Sequence, residues 1–129
     1  MKEGSELEFL LDDLKSELGD KVRDYEVVRH QLTIETTRDE LVPVLQVLKE
    51  HSSFDFKMLI DITAVDYPDR PERFEIVYNL LSLSQNHRVK VKVPTSEETP
   101  VPSAFSVYSS AVWYEREVWD MYGVFFKGN

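Results

Sequence analysis

Cysteine is absent from these 129 residues. That removes disulfides, thiolate metal sites, iron–sulfur ligation and cysteine nucleophiles together. Glycine is scarce, and the four present (Gly4, Gly19, Gly123 and Gly128) are scattered. Neither GxGxxG nor GxxxxGK[ST] occurs, so the chain has no glycine-rich phosphate cradle. Positive charge is short as well: 15 Lys+Arg against 24 Asp+Glu give a net charge of −9. This balance argues against nucleic-acid binding, which needs counter-charge for phosphates, and against binding an anionic lipid surface by charge alone. Long apolar runs are missing, since none approaches the roughly 20 residues of a membrane helix. The acid-interrupted start, MKEGSELEFLLDDLKSEL, is unlike an export signal or an Arg-rich transit peptide. The expected compartment is therefore cytosolic, with any membrane association made through partners.

What is present describes a globular protein. The residues are 42% hydrophobic and 30% charged, and the length is close to that of a common single domain, so residues 1–129 are expected to form one.

Ser5-Glu6-Leu7-Glu8 reads as a capping box, followed by Leu7, Leu10, Leu11, Leu14 and Leu18 at helical spacing and by Gly19 as a left-handed stop. From Tyr25 to Thr36 the pattern alternates, predicting a strand with Val28, His30, Leu32 and Ile34 on one side. Thr37-Arg38-Asp39-Glu40 offers a second capping box, and Leu41, Val44, Leu45 and Leu48 carry a helix towards His51. Pro43 fits best near the first turn, so the start could fall a residue or two after Thr37.

Phe56 to Tyr67 reads as a strand, with Met58, Ile60 and Ile62 facing one way and Leu59, Asp61 and Thr63 the other. Pro68-Asp69-Arg70-Pro71 is a turn. Arg73 to Ser84 and Arg88 to Val93 form the clearest hairpin, joined at Ser84-Gln85-Asn86-His87. Phe74, Ile76, Tyr78 and Leu80 alternate on its first arm; Val89, Val91 and Val93 alternate with Lys90 and Lys92 on the second. The lysines put one sheet face in water. After the proline-rich stretch Pro94 to Ser103, helix is predicted from about Ser103 to Gly123, in two short pieces. Neighbouring strands with helices before and after define an α+β fold.

Chemistry is thinly represented. His30, His51 and His87 fall in three different elements without ligand spacing, and no HExxH or GxSxG motif occurs. Asp61 and Asp66 lie on or just after an apolar strand. They are read as a carboxylate on the wetter face and a turn opener, in preference to a catalytic acid or a contact between subunits.

The most unusual stretch is Trp113-Tyr114-Glu115-Arg116-Glu117-Val118-Trp119-Asp120-Met121-Tyr122-Gly123. On a helix, Ala111, Tyr114, Val118, Met121 and Tyr122 make a stripe that covers the sheet. Trp113, Arg116, Glu117 and Asp120 make another face, with Arg116 and Asp120 as an i, i+4 ion pair; Trp119 lies between the two, beside Glu115. Two tryptophans flanking charges imply a helix that is enclosed in the domain or docked on something else, because aromatics with Arg are the composition of interface centres. A carboxylate-pair hydrolase is the weaker reading, since Glu115 and Asp120 lie on different faces of one helix.

Glu115 to Gly123 resembles the E-R-E-x-x-D-(aromatic/aliphatic pair)-G motif of the 30 kDa (C) subunit of the proton-pumping NADH:quinone oxidoreductase, respiratory complex I. Leu59 to Tyr67, Arg73 to Ser82, Asn86 to Val93 and Pro100 to Ser103 are similar to that family in order and spacing. The likeness covers about Leu41 to Gly128, and more loosely the part before it. Asn129 stands where the family pattern has His or Lys, and the family's basic docking extension is absent after it, so a shortened chain is expected.

The resemblance implies a two-layer fold with a mixed, largely antiparallel sheet and helices packed on one face. It implies no cofactor, no metal and no catalysis by the chain itself. The implied role is structural, in the hydrophilic arm, supporting the quinone-site large subunit and iron–sulfur subunits during electron transfer from NADH to quinone coupled to proton translocation. The place implied is peripheral, on the cytoplasmic side of a bacterial inner membrane, with the membrane reached only through the complex. Trp113, Glu115, Arg116, Glu117, Asp120, Met121, Tyr122 and Gly123 are the expected subunit-contact or structural motif. The rivals are the equivalent part of a membrane-bound energy-converting NiFe hydrogenase-type complex and a free-standing acidic enzyme using Glu115, Glu117 and Asp120.

Overall fold

The computed structural model describes residues 2–29 and 31–129, with the side chains of residues 2–6 outside that description. Helix α1 (Lys2–Leu18) buries Leu7, Leu10, Leu14 and Leu18 along one stripe. It begins ahead of Ser5, which is therefore not its N-cap; the Ser5 and Glu6 side chains of the expected capping box lie outside the described residues. Gly19 ends the helix at φ +51°, and a 3₁₀ turn, Gly19–Lys21, leads into the sheet.

The strand expected from Tyr25 to Thr36 is in fact two, β1 (Val22–Val28) and β2 (Gln31–Thr36), paired antiparallel. Val28 pairs with Gln31, so the chain reverses at Arg29, which takes φ +50° without any glycine or proline to signal it. Leu32 and Ile34 face the core while Val28 is exposed on the other side; His30 lies outside the described residues.

Helix α2 (Arg38–Glu50) starts at the second capping box, where the Thr37 hydroxyl accepts from the Glu40 amide at 3.3 Å. Pro43 falls in its second turn on the solvent side, one turn later than expected, so the Asp39 carbonyl loses its helical donor and is left to water. Leu41, Val44, Leu45 and Leu48 are fully buried. Each such side chain contributes about 1.5–3 kcal/mol through the apolar area it removes from water.

Strand β3 (Met58–Asp66) carries a bulge: Leu59 pairs with Leu80 and Asp61 with Asn79, leaving Ile60 as the extra residue. The bulge shifts the phase of the alternation. Leu59 and Ile62 are buried and Met58 is exposed, so the expected Met58, Ile60, Ile62 face does not exist. Asp61 accepts from the Asn79 amide at 2.6 Å, and Asp66 takes two bonds from Arg73, at 2.9 and 2.7 Å. The Arg73 hydrogen bonds hold the Asp66 carboxyl below its ordinary value.

Strands β4 (Phe74–Ser82) and β5 (His87–Thr95) form the predicted hairpin, with the turn at Leu83–Asn86. Ile76, Tyr78, Leu80, Val89, Val91 and Val93 all point into the core. On the other face Glu75, also buried, meets Lys92 at 3.6 Å and Arg70 at 3.7 Å. Strand β2 runs parallel to β5 (Leu32 beside Val89, Glu35 beside Lys92), giving the order β1-β2-β5-β4-β3. The fold is α+β with a mixed, mostly antiparallel sheet whose apolar face is covered by the helices.

Ser103 to Ser110 is a run of turns and not the expected first helical piece. Only one helical turn closes there, Tyr108 N–H to Ala104 C=O. The Tyr108 hydroxyl reaches the Phe56 carbonyl at 2.6 Å. Helix α3 (Ala111–Tyr122) then packs beside β3. A short parallel pair, β6 (Val101–Pro102) with β7 (Phe126–Lys127), ties the residues after α3 back under it.

Candidate subunit-contact site

Helix α3 ends where Gly123 adopts φ +74° and donates its N–H to the Trp119 carbonyl at 2.9 Å. A residue with a Cβ is strained in that conformation. The helix turns Ala111, Glu115 and Val118 inward, with Tyr114 and Tyr122 half-buried at the margins. Tyr122 meets Phe74 edge-to-face at 5.7 Å, which fixes the helix against the start of β4.

Met121 was expected in the sheet-covering stripe but is 73% exposed. The stripe runs through positions 111, 115, 118 and 122, so it admits the acidic Glu115 and leaves Met121 outside. Trp113 is 73% and Trp119 48% exposed. The helix is thus not enclosed by its own domain, and its aromatic and charged side is open. Arg116 and Asp120 do pair, at 3.8 Å, but with 74% and 60% of their side chains in solvent, and Glu117 is exposed beside them. An exposed pair of this kind contributes little, so Arg116 is no anchor to the domain's own core.

Glu115 was expected beside Trp119, as part of the subunit-contact or structural motif, with no core position foreseen for it. It is fully buried. Its Oε1 accepts from the Ser103 hydroxyl at 2.7 Å and the Asn129 side-chain amide at 3.0 Å, and its Oε2 from the Ala104 backbone amide at 2.7 Å. One carboxyl therefore joins α3, the turn after β6 and the second residue after β7. Burial raises its pKa above the ordinary value, and the three donors oppose that rise without cancelling it. Tyr78 lies fully buried in the same region. Its hydroxyl has no hydrogen-bond partner among the described residues, and burial together with the Glu115 charge pushes its pKa well up.

Around this carboxyl, Trp119 and Phe125 meet edge-to-face at 5.9 Å and border a cavity of about 230 Å³ with Arg116, Phe126 and Asn129. The described histidines are dispersed. His51 stacks on Phe54 at 4.7 Å and sits 3.3 Å from Glu17, while His87 opens β5. No group of three or more His, Asp or Glu arranged to hold a metal ion occurs among the described residues.

Fold and site together define a two-layer α+β module whose last helix uses a buried glutamate to fasten its own chain and presents aromatics and charges outward. Residues 34–129 match the family model described as the respiratory-chain NADH dehydrogenase 30 Kd subunit, and the chain belongs to that family. It is similar to the C subunit of the NADH-quinone oxidoreductase of Rhodospirillum rubrum, at 50% identity over 102 residues covering 79% of this chain and 48% of that protein. It is similar also to the corresponding C subunit of Bartonella bacilliformis, at 47% identity over 116 residues covering 90% of this chain and 57% of that protein. The chain spans about half the length of the curated relatives it matches. Among solved structures, a chain of the membrane-bound sulfane sulfur reductase, an archaeal respiratory membrane complex, shares the fold. The TM-score is 0.81 at 28% identity, over 95% of this chain and 71% of that one.

Proposed function

We propose that residues 1–129 act as one domain of a structural, non-catalytic subunit in the hydrophilic arm of an NADH:quinone oxidoreductase. In this reading the chain binds no cofactor. It holds the quinone-site large subunit and the iron–sulfur subunits in place while electrons pass from NADH to quinone and protons are translocated. The relatives that bear the name of NADH-quinone oxidoreductase support the assignment to the complex. The observation that carries the structural role is the outward side of α3, where Trp113 and Met121 are each 73% exposed. Tryptophan and methionine left in water beside an arginine are the composition of interface centres. Trp113, Arg116, Glu117, Asp120 and Met121 form that contact surface; Glu115, Tyr122 and Gly123 hold the helix in position behind it.

No helix among the described residues is long and apolar enough to cross a membrane. A peripheral place on the cytoplasmic side, reached through partner subunits, is the reading in keeping with that. The test is replacement of the resident 30 kDa subunit in a bacterium by this chain. Trp113→Ala with Met121→Ala is expected to lower the amount of assembled complex on native gels, and the NADH:quinone activity of membranes with it, while the domain still folds. Unchanged assembly would count against the contact surface.

A second reading has its own support. The likeness to a sulfane sulfur reductase chain makes a related membrane complex with another electron donor the alternative. Membranes whose activity depends on this chain with a donor other than NADH would favour it.

A further inference from the structure

The Glu115 carboxyl is fully buried, yet all three groups that donate to it are neutral: a hydroxyl, a backbone amide and a side-chain amide. Among the described residues no Lys or Arg pairs with it. Buried carboxylates ordinarily have a cationic partner, because desolvation of an uncompensated charge costs several kcal/mol. A carboxylate offers roughly four acceptor positions, and three are filled here. Glu115 also borders the cavity of about 230 Å³ whose rim is the edge-to-face pair Trp119 and Phe125, each about half exposed.

Aromatic faces beside a carboxylate with an acceptor position to spare make a receptor for a cation, and for a planar one above all. A guanidinium stacks on rings and directs its N–H groups in a fixed fork, whereas an ammonium does not. We propose that this cavity receives an arginine side chain of a partner subunit, which stacks on the exposed faces of the packed Trp119–Phe125 pair and brings towards Glu115 the counter-charge that it lacks. The occupant belongs to a partner because the cavity adjoins the outward side of α3, where Trp113 is left bare. The chain's net charge of −9 favours a basic visitor. Arg116 borders the same space; its charge is directed to Asp120 at 3.8 Å and opposes an incoming cation only partly. The inference rests on the reading of α3 as a contact surface, and it names what that surface binds.

The test is an NMR titration of the chain with an acetylated Gly-Arg-Gly amide, following the Trp119 indole N–H and the Glu115 carboxyl carbon. Two control peptides carry citrulline, which keeps the shape and loses the charge, or glutamate. The arginine peptide is expected to shift both signals saturably, and about tenfold more tightly than citrulline. Phe125→Ala and Glu115→Gln should each abolish the preference, and Arg116→Ala should strengthen binding of the arginine peptide. Phe125 lies at the exposed rim, so its variant tests the site even if Glu115→Gln perturbs folding. Equal responses to arginine and citrulline, no response, or a response to the glutamate peptide alone would overturn the proposal. If the chain still assembles into the membrane complex in that event, the arginine inference falls and the contact surface stands. If assembly fails as well, both fall.

Discussion

Ser103 donates its hydroxyl to Glu115 at 2.7 Å, and the next residue, Ala104, donates its backbone N–H to the other oxygen of the same carboxyl at 2.7 Å. A turn with little regular structure of its own is thereby pinned to the middle of α3 by one buried side chain.

The sign of the Glu115 pH effect follows from burial. The folded chain holds the carboxyl proton more tightly than the unfolded one, since the pKa is raised from an ordinary 4.5. The stabilisation is then complete below the unfolded value and is lost as pH rises through the higher folded one. Thermal melts of the wild type and Glu115→Gln, compared from acid to neutral pH, should show the wild type losing stability relative to the variant as pH rises. A constant difference would contradict this.

Tyr78 gives an opposite kind of test. Its hydroxyl is buried without a partner among the described residues, so removing it removes a desolvation cost. Tyr78→Phe is expected to raise stability by about 1 kcal/mol, read as a higher urea midpoint with an unchanged slope. A clear loss of stability would mean that the phenol is satisfied in solution.

Gly123 is needed for its backbone. An added Cβ would meet nothing within 4 Å, but φ is +74°. Gly123→Ala should therefore cost about 1–2 kcal/mol through conformation alone, seen as a lower melting temperature with little change in the far-ultraviolet circular dichroism.

Arg116 behaves differently from what its pairing with Asp120 leads one to expect. If the pair were desolvated, Arg116→Ala would cost about 1–3 kcal/mol. With both side chains mostly in solvent, the change should stay within about 0.5 kcal/mol. An equilibrium unfolding curve that separates the two proteins by more would show the pair to be sheltered.

Much of this architecture is legible in the sequence. The leucine spacing of α1 and α2, the Thr37 cap and the β4–β5 alternation each agree with a single local rule. The α+β class follows from the order of those elements. What escaped reading depended on single residues breaking a period. Arg29 turns the chain with no turn residue to mark it, and Ile60 adds one residue to β3 and so reverses its faces.

At the site, the Trp113, Arg116, Glu117 and Asp120 face and the Arg116–Asp120 pair were visible from helical spacing, whereas enclosure or exposure of that face was left open. Glu115 was not given its place, because an acid at a core position contradicts the apolar pattern used to find the core. Its partners Ser103 and Asn129 come from two other segments that only the tertiary fold brings together. The clue was there in the period itself: Ala111, Glu115, Val118 and Tyr122 are one helical stripe, and the acid in it needed donors from elsewhere.

The parallel seam between β2 and β5 dictates an order of assembly. The β3–β4–β5 meander joins neighbours along the chain, whereas Leu32 reaches Val89 only after everything between them has been looped out. Closing so large a loop costs entropy before any contact repays it. The amino-terminal hairpin should therefore dock late: truncating Leu32 should chiefly speed unfolding, and truncating Ile76 or Val91 should chiefly slow folding.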